Sequence, residues 1–159
     1  MGRRSIKENK NIYFLSREEA GLTRAEASEA MGYISESRLD KIENERTAIQ
    51  PSDVVAMAEA YKKPGLCNYY CTHECSIGIS SVAEIQPSSL AELSLGIVNS
   101  LSQLNKQKDR LMEIAEDGKI TSDEMTDFKS IQENLNKISV TIESLKLWVN
   151  QAIADGEMK

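Results

Sequence analysis

Apolar residues along this chain recur at intervals of three and four, and short polar clusters with Gly, Pro, Ser or Thr interrupt them. That rhythm predicts helices throughout. In the first third they are short. Ile12 and Leu15 share one side of a segment that ends at Ala20, with Gly21 as its stop. Thr23 and Glu26 make a capping box ahead of a second helix over 24–31, which ends at Gly32. Ser35 caps a third over 36–44, with Leu39 and Ile42 inward. Pro51 and Ser52 open a fourth over 53–61, whose stripe is Val54, Val55, Ala58 and Tyr61. Pro64 opens a fifth, short piece.

Beyond residue 75 the rhythm changes. Residues 76–88 carry the Ser, Gly and Pro of a linker. Ser89 and Glu92 then box the start of a long helix running to about Asp117, with Leu90, Leu93, Ile97, Leu104, Leu111 and Ile114 in register. Thr121 and Glu124 box a second long helix, in which Phe128, Ile131, Leu135, Ile138, Ile142, Leu145, Val149 and Ala152 keep an unbroken 3-4 spacing. The short connection makes the pair an antiparallel hairpin. The expected fold is all-α: a five-helix domain over 1–75, a linker over 76–88 and a coiled-coil-like hairpin over 89–155. Two helices alone bury little, so the hairpin is expected to find a second copy through Leu135, Ile138, Ile142, Leu145 and Val149. The alternative is that it folds back on the first domain.

Composition narrows the class. Of 159 residues, 40% are hydrophobic, 28% charged and 5% aromatic, which suits a soluble helical chain. No apolar run reaches the roughly 18 residues of a membrane span, and no secretory h-region follows the first Met, so a cytoplasmic protein is expected. Three cysteines, an odd number, argue against a disulfide framework. The net charge of −6 is unevenly placed. Residues 1–63 carry 11 Lys/Arg against 11 Asp/Glu, and residues 64–159 carry 8 against 14. Only the front third is electrostatically fit to approach phosphates.

The segment 18–61 resembles the DNA-binding domain of the XRE family, the Cro and lambda-repressor-like helix-turn-helix regulators. The resemblance rests on Gly21-Leu22-Thr23, Gly32, Ser35, Ile42-Glu43-Asn44, the Pro51-Ser52 start and the run ending Met57-Ala58-Glu59-Ala60-Tyr61. It implies a lambda-repressor-like five-helix bundle whose third helix lies in the major groove while the second braces it across the backbone. It places Arg24 at a phosphate-anchoring position, and Ser35, Glu36, Ser37 and Lys41 on the face that meets base edges, flanked by Arg38. Asn44, Arg46 and Thr47 fall in the loop that contacts phosphate. Arg3, Arg4, Lys7 and Lys10 form either a basic arm or a solvated tail. The chain departs from the family pattern at Glu45, where Gly is usual and a left-handed or reshaped cap is required. It also departs in a turn 32–35 one residue longer than usual, and in Ser28 where Ala is common. Acidic Glu36, Asp40, Glu43 and Glu45 make the affinity of one domain modest and steeply salt-dependent, which a dimer on two half-sites offsets.

The implied function is sequence-specific, dimeric transcription regulation on double-stranded DNA. Two other readings stay open: an interaction module that keeps the fold without binding DNA, and a metal- or redox-responsive regulator using Cys67, Cys71, His73 and Cys75. A contiguous C-x3-C-x3-C run is unlike the two-armed ligand pairs of zinc sites, so no metal is expected. The stretch 113–124 has an EF-hand flavour, but Ala115 fills a position that requires an oxygen ligand. No catalytic constellation, cofactor or small-molecule site is evident, and no enzyme is expected.

Overall fold

Side-chain caps set the helix boundaries. In the computed structural model, which describes residues 10–158, Asn11 Oδ1 accepts from the Phe14 amide at 3.0 Å and opens α1 (Ile12–Glu19). Thr23 and Glu26 cap each other reciprocally at the start of α2 (Arg24–Met31), and Gly32, at φ 76°, supplies the backbone that stops it. Ser35 Oγ accepts from the Arg38 amide at 3.3 Å and opens α3 (Glu36–Glu43). Pro51 stands in the first turn of α4 (Pro51–Ala60), where its missing N–H costs nothing. α5 (Gly65–His73) and α6 (Ser76–Ser81) follow. Ala27, Ile34, Leu39, Val54, Met57 and Leu66 are almost fully buried at the centre of these helices. The proposed arm residues Arg3, Arg4 and Lys7 lie outside the described residues; Lys10 pairs with Glu18 at 2.8 Å.

Two faces differ from the pattern reading. α1 turns Tyr13, Phe14 and Arg17 inward and leaves Leu15 42% exposed. α4 buries Met57 and leaves Val55 exposed. In α1 the cause is electrostatic: Arg17 has a buried carboxylate to meet, and Tyr13 shares its face at i, i+4. The stretch expected as a linker holds α6, which lies so close to α5 that a Cβ at Gly78 would fall onto the Cys71 carbonyl.

The long helices are α7 (Leu90–Ala115), opened by the Ser89–Glu92 capping box, and α8 (Met125–Ala154). Ahead of α8 the Thr121 amide donates to Glu124 Oε2 at 3.0 Å. The two helices run antiparallel: Arg110 meets Asp127, Gln107 meets Ser130, and Ser100 meets Asn134. Leu93, Ile114 and Ile131 are buried in the seam. Among the described residues there is no strand, and no helix is long and apolar enough to cross a membrane. The chain divides into two compact units, Ile85–Trp148 and the remainder, which joins residues through Glu84 to those from Val149 onward. Within the latter unit Gln151 Nε2 donates to the Lys62 carbonyl at 3.1 Å.

The hairpin is amphipathic in a particular way. Leu90, Leu101 and Met112 on α7 and Leu135 and Ile142 on α8 stay at least 42% exposed. Leu101 stands one residue step, about 100°, round from the seam position Ser100, and Leu135 stands the same step on from Asn134. The helices are antiparallel, so equal steps in the same sense bring both rows to one side of the hairpin.

Asn134 interrupts the seam. It is 4% exposed, its Nδ2 reaches the Ser100 carbonyl and Gln107 Oε1 only at 3.3 and 3.4 Å, and its Oδ1 has no partner. A buried acceptor without a donor costs roughly 1–3 kcal/mol. Asn134→Leu is therefore expected to stabilise the hairpin by about that amount, read from the thermal unfolding midpoint, while loosening the register that a seam Asn enforces.

Candidate nucleic-acid interface

Helix α3 is held by charge as much as by apolar packing. Leu39, Ile42 and Glu43 face inward, and the Glu43 side chain is 1% exposed. Arg17 from α1 grips this carboxylate with two donors, Nε to Oε1 at 2.5 Å and Nη2 to Oε2 at 3.0 Å. Arg24 from α2 adds Nε to Oε2 at 2.8 Å and sends Nη1 to Asp40 Oδ1 at 3.0 Å. Burial on its own would lower the Arg17 pKa, but the hydrogen bonds and charge of Glu43 outweigh it and the net shift is upward. At the other end of α3, Arg38 Nη2 donates to Asp53 Oδ2 at 2.5 Å, and this hydrogen bond with the Asp53 charge raises the Arg38 pKa. Three helices are thus tied to α3 by ion pairs with buried carboxylates.

The α2–α3 turn is set by small contacts. Ser28 Oγ donates to the Ile34 carbonyl at 2.7 Å, which turns the Ala-to-Ser departure into a clamp on the turn. Ile34 is buried and Tyr33 is exposed, with its hydroxyl donating to the Ser52 carbonyl at 2.6 Å. At the far end, Glu45 adopts φ 57°. The Arg46 amide donates to the Lys41 carbonyl at 2.7 Å and the Glu45 amide to the Ile42 carbonyl at 3.0 Å. These are the two bonds of a Schellman motif, closed here by a glutamate in left-handed backbone where glycine is the cheap choice.

Those constraints sort the residues expected at the interface. Ser35, Glu36, Ser37, Lys41 and Arg46 are exposed, and Ser37 and Lys41, at i, i+4, share the outward face of α3. Lys41 makes no ion pair among the described residues, and Arg46 Nη1 lies 3.6 Å from Asp40 Oδ2 with its side chain 68% exposed. Arg24 and Arg38 are half-buried and committed to carboxylates within the fold. Asn44 Nδ2 donates to the Asp40 carbonyl at 2.7 Å, and Thr47 is half-buried in the loop. Arg24 and Arg38, which the resemblance places at the DNA, bind Glu43 and Asp53 within the fold.

The cysteine segment offers less than its composition suggests. Cys67, Cys71 and Cys75 are free thiols, and burial, then Cys71 and Glu59, push the Cys67 thiol pKa up, away from the reactive thiolate. His73 stacks on Tyr69 with ring centroids 4.2 Å apart. No group of three His, Cys, Asp or Glu among the described residues is arranged to hold a metal ion. In the 113–124 stretch, Glu124 accepts from both the amide and the hydroxyl of Thr121 as a cap.

The family model described as Helix-turn-helix matches residues 16–65. No curated protein and no solved structure matches the chain. The matched span contains α2, its turn and α3, together with the ion-pair knot that orients them. Residues 16–65, less than half of the chain, are thus similar to the helix-turn-helix domains of XRE-type DNA-binding regulators.

Proposed function

We propose that the chain is a sequence-specific transcription regulator that reads duplex DNA with the outer face of α3 and binds as a dimer through its hairpin. The observation that carries this reading is the division of labour among the cations. Arg17, Arg24 and Arg38 fix α3 from within, while Lys41 and Arg46 remain outward beside Ser37 on the reading face. Lys41 is suited to donate to guanine O6 or N7, Ser37 to hydrogen-bond a base edge or phosphate, and Arg46 to pair with phosphate. Glu36 accepts from cytosine N4 and otherwise repels the backbone, so it favours the correct site over others. Asn44 and Thr47 support the phosphate loop. Arg24 and Arg38 serve mainly to position the helix.

Dimerisation is supported by the exposed apolar row that Leu101, Leu135 and Ile142 form on one side of the hairpin. Along α8 this face reads Phe128, Gln132, Leu135, Ser139 and Ile142, with no carboxylate, which suits self-association of an otherwise acidic chain. Ile138 and Leu145 are half-buried and serve the edges of the same contact, while Val149 begins the stretch that belongs to the N-terminal unit.

Replacing Lys41 and Arg46 together with Ala is expected to weaken retention of a specific duplex roughly 100-fold, from about 1.4 kcal/mol or more per lost contact. A gel shift at low salt, with thermal unfolding unchanged, reads this. Unchanged retention would remove these residues from the interface.

A further inference from the structure

A cleft of about 310 Å3 opens beside the loop that follows α3, lined among others by Ile12, Tyr13, Glu45, Ala48, Tyr69 and Glu74. Its volume matches the lower end of small-ligand pockets. Ile12, Ile42 and Ile49 give it apolar surface, and Tyr13 and Tyr69 meet edge to face, with ring centroids 6.4 Å apart. Among the described residues its charged lining consists of two carboxylates, Glu45 and Glu74, with no lysine or arginine. Tyr13 already donates to Glu74 Oε1 at 2.7 Å, which fixes that carboxylate against the aromatic wall. Glu45 and Glu74 both act on Tyr69: with burial as the larger cause, their negative charge raises the pKa of its hydroxyl. The negative field of the two groups therefore converges on one aromatic surface.

An acidic cleft is out of place next to a loop that approaches phosphate. Glu45 also stands in left-handed backbone, where a non-glycine residue carries a cost of about 1–2 kcal/mol. We propose that this cleft binds a small organic cation, an apolar or aromatic body ending in an ammonium group. The body packs on Ile12, Ile49 and Tyr69, and the ammonium sits between Glu45 and Glu74 over electron-rich ring surface. Thr47 and Ala48 of the same loop line the cleft, so the bound cation neutralises charge beside the phosphate contact and strengthens DNA binding. This last step rests on the proposed DNA reading; binding in the cleft does not.

The test uses the full chain with phenethylammonium as probe, phenylacetate as the oppositely charged control, and sodium chloride to equalise ionic strength. Amide chemical shifts of residues 45–49 and 69–74 are expected to move saturably with the cation and not with the anion. Glu45→Gln with Glu74→Gln should weaken the apparent affinity at least tenfold, and Ala48→Trp, at an exposed position, should block binding by filling the cleft. Equal binding of the anion, absence of saturation, or unchanged affinity in both variants overturns the site. Retention of duplex DNA should rise at least twofold at saturating cation. If the cation binds but retention does not change, the coupling is wrong and the site stands. If no duplex is retained under any condition, it is the DNA reading that fails.

Discussion

Glu43→Ala is expected to remove roughly 3–5 kcal/mol of folding stability, the cost of leaving a buried charge without its partner. The substitution strands Arg17, whose side chain is 8% exposed and whose Nε and Nη2 both end on Glu43. It also frees Arg24 from its bond to α3. Domains of this size are stable by only about 5–15 kcal/mol, so the variant sits close to the unfolding threshold. Chemical denaturation followed by circular dichroism measures the loss. Adding Arg17→Met to Glu43→Leu should recover most of it, because a buried pair exchanged for apolar residues of similar volume is often neutral or better. Glu43→Leu alone, which fills the space but still strands Arg17, should recover little, and that contrast separates a charge-pair origin from simple cavity formation. A Glu43→Ala variant as stable as the wild type would mean that the knot does not hold α3.

Leu135→Asp combined with Ile142→Asp is expected to return the solution mass from twice 17.7 kDa to that of one chain. Both side chains are 42% exposed, so the substitutions leave the inner seam of Ile131 and Leu93 in place and helicity should persist. Each aspartate adds charge to a face that carries no carboxylate along α8, and in a dimer those charges would be buried against their own copies. Loss of the dimer also removes the second binding event, which linked modules carry out at high effective concentration, so duplex affinity should fall at least about 100-fold. Light scattering and a gel shift on the same preparation read both effects. A monomeric wild type contradicts the dimer outright.

Much of the architecture was legible because helix ends are local. The capping boxes at Thr23–Glu26 and Ser89–Glu92 lie at the helix starts the sequence predicts, and Gly32 stops α2 where expected; at Thr121 only Glu124 accepts, and α8 begins after a turn, at Met125. The left-handed cap required of Glu45 is present. What escaped the sequence reading is set by distant partners. Leu15 is exposed and Arg17 buried because a carboxylate 26 positions away claims the inner face of α1. Periodicity counts apolar residues and so cannot see an inward-facing ion pair. In α8 the single 3-4 row expected from sequence is split: Ile131 is buried within the hairpin, while Leu135 and Ile142 face outward. Likewise the cleft beside Glu45 gathers residues from α1, α3, the loop and α5, which no local motif connects.

Selection of bound duplexes from a random library by the full chain at moderate salt shows whether α3 reads DNA sequence. A short motif occurring as two half-sites is expected to be enriched, to disappear when Lys41 and Arg46 are replaced with Ala, and to collapse to single half-sites with weak retention in the Leu135→Asp, Ile142→Asp variant. Retention without any enriched sequence, or enrichment that survives loss of Lys41 and Arg46, would contradict reading by α3.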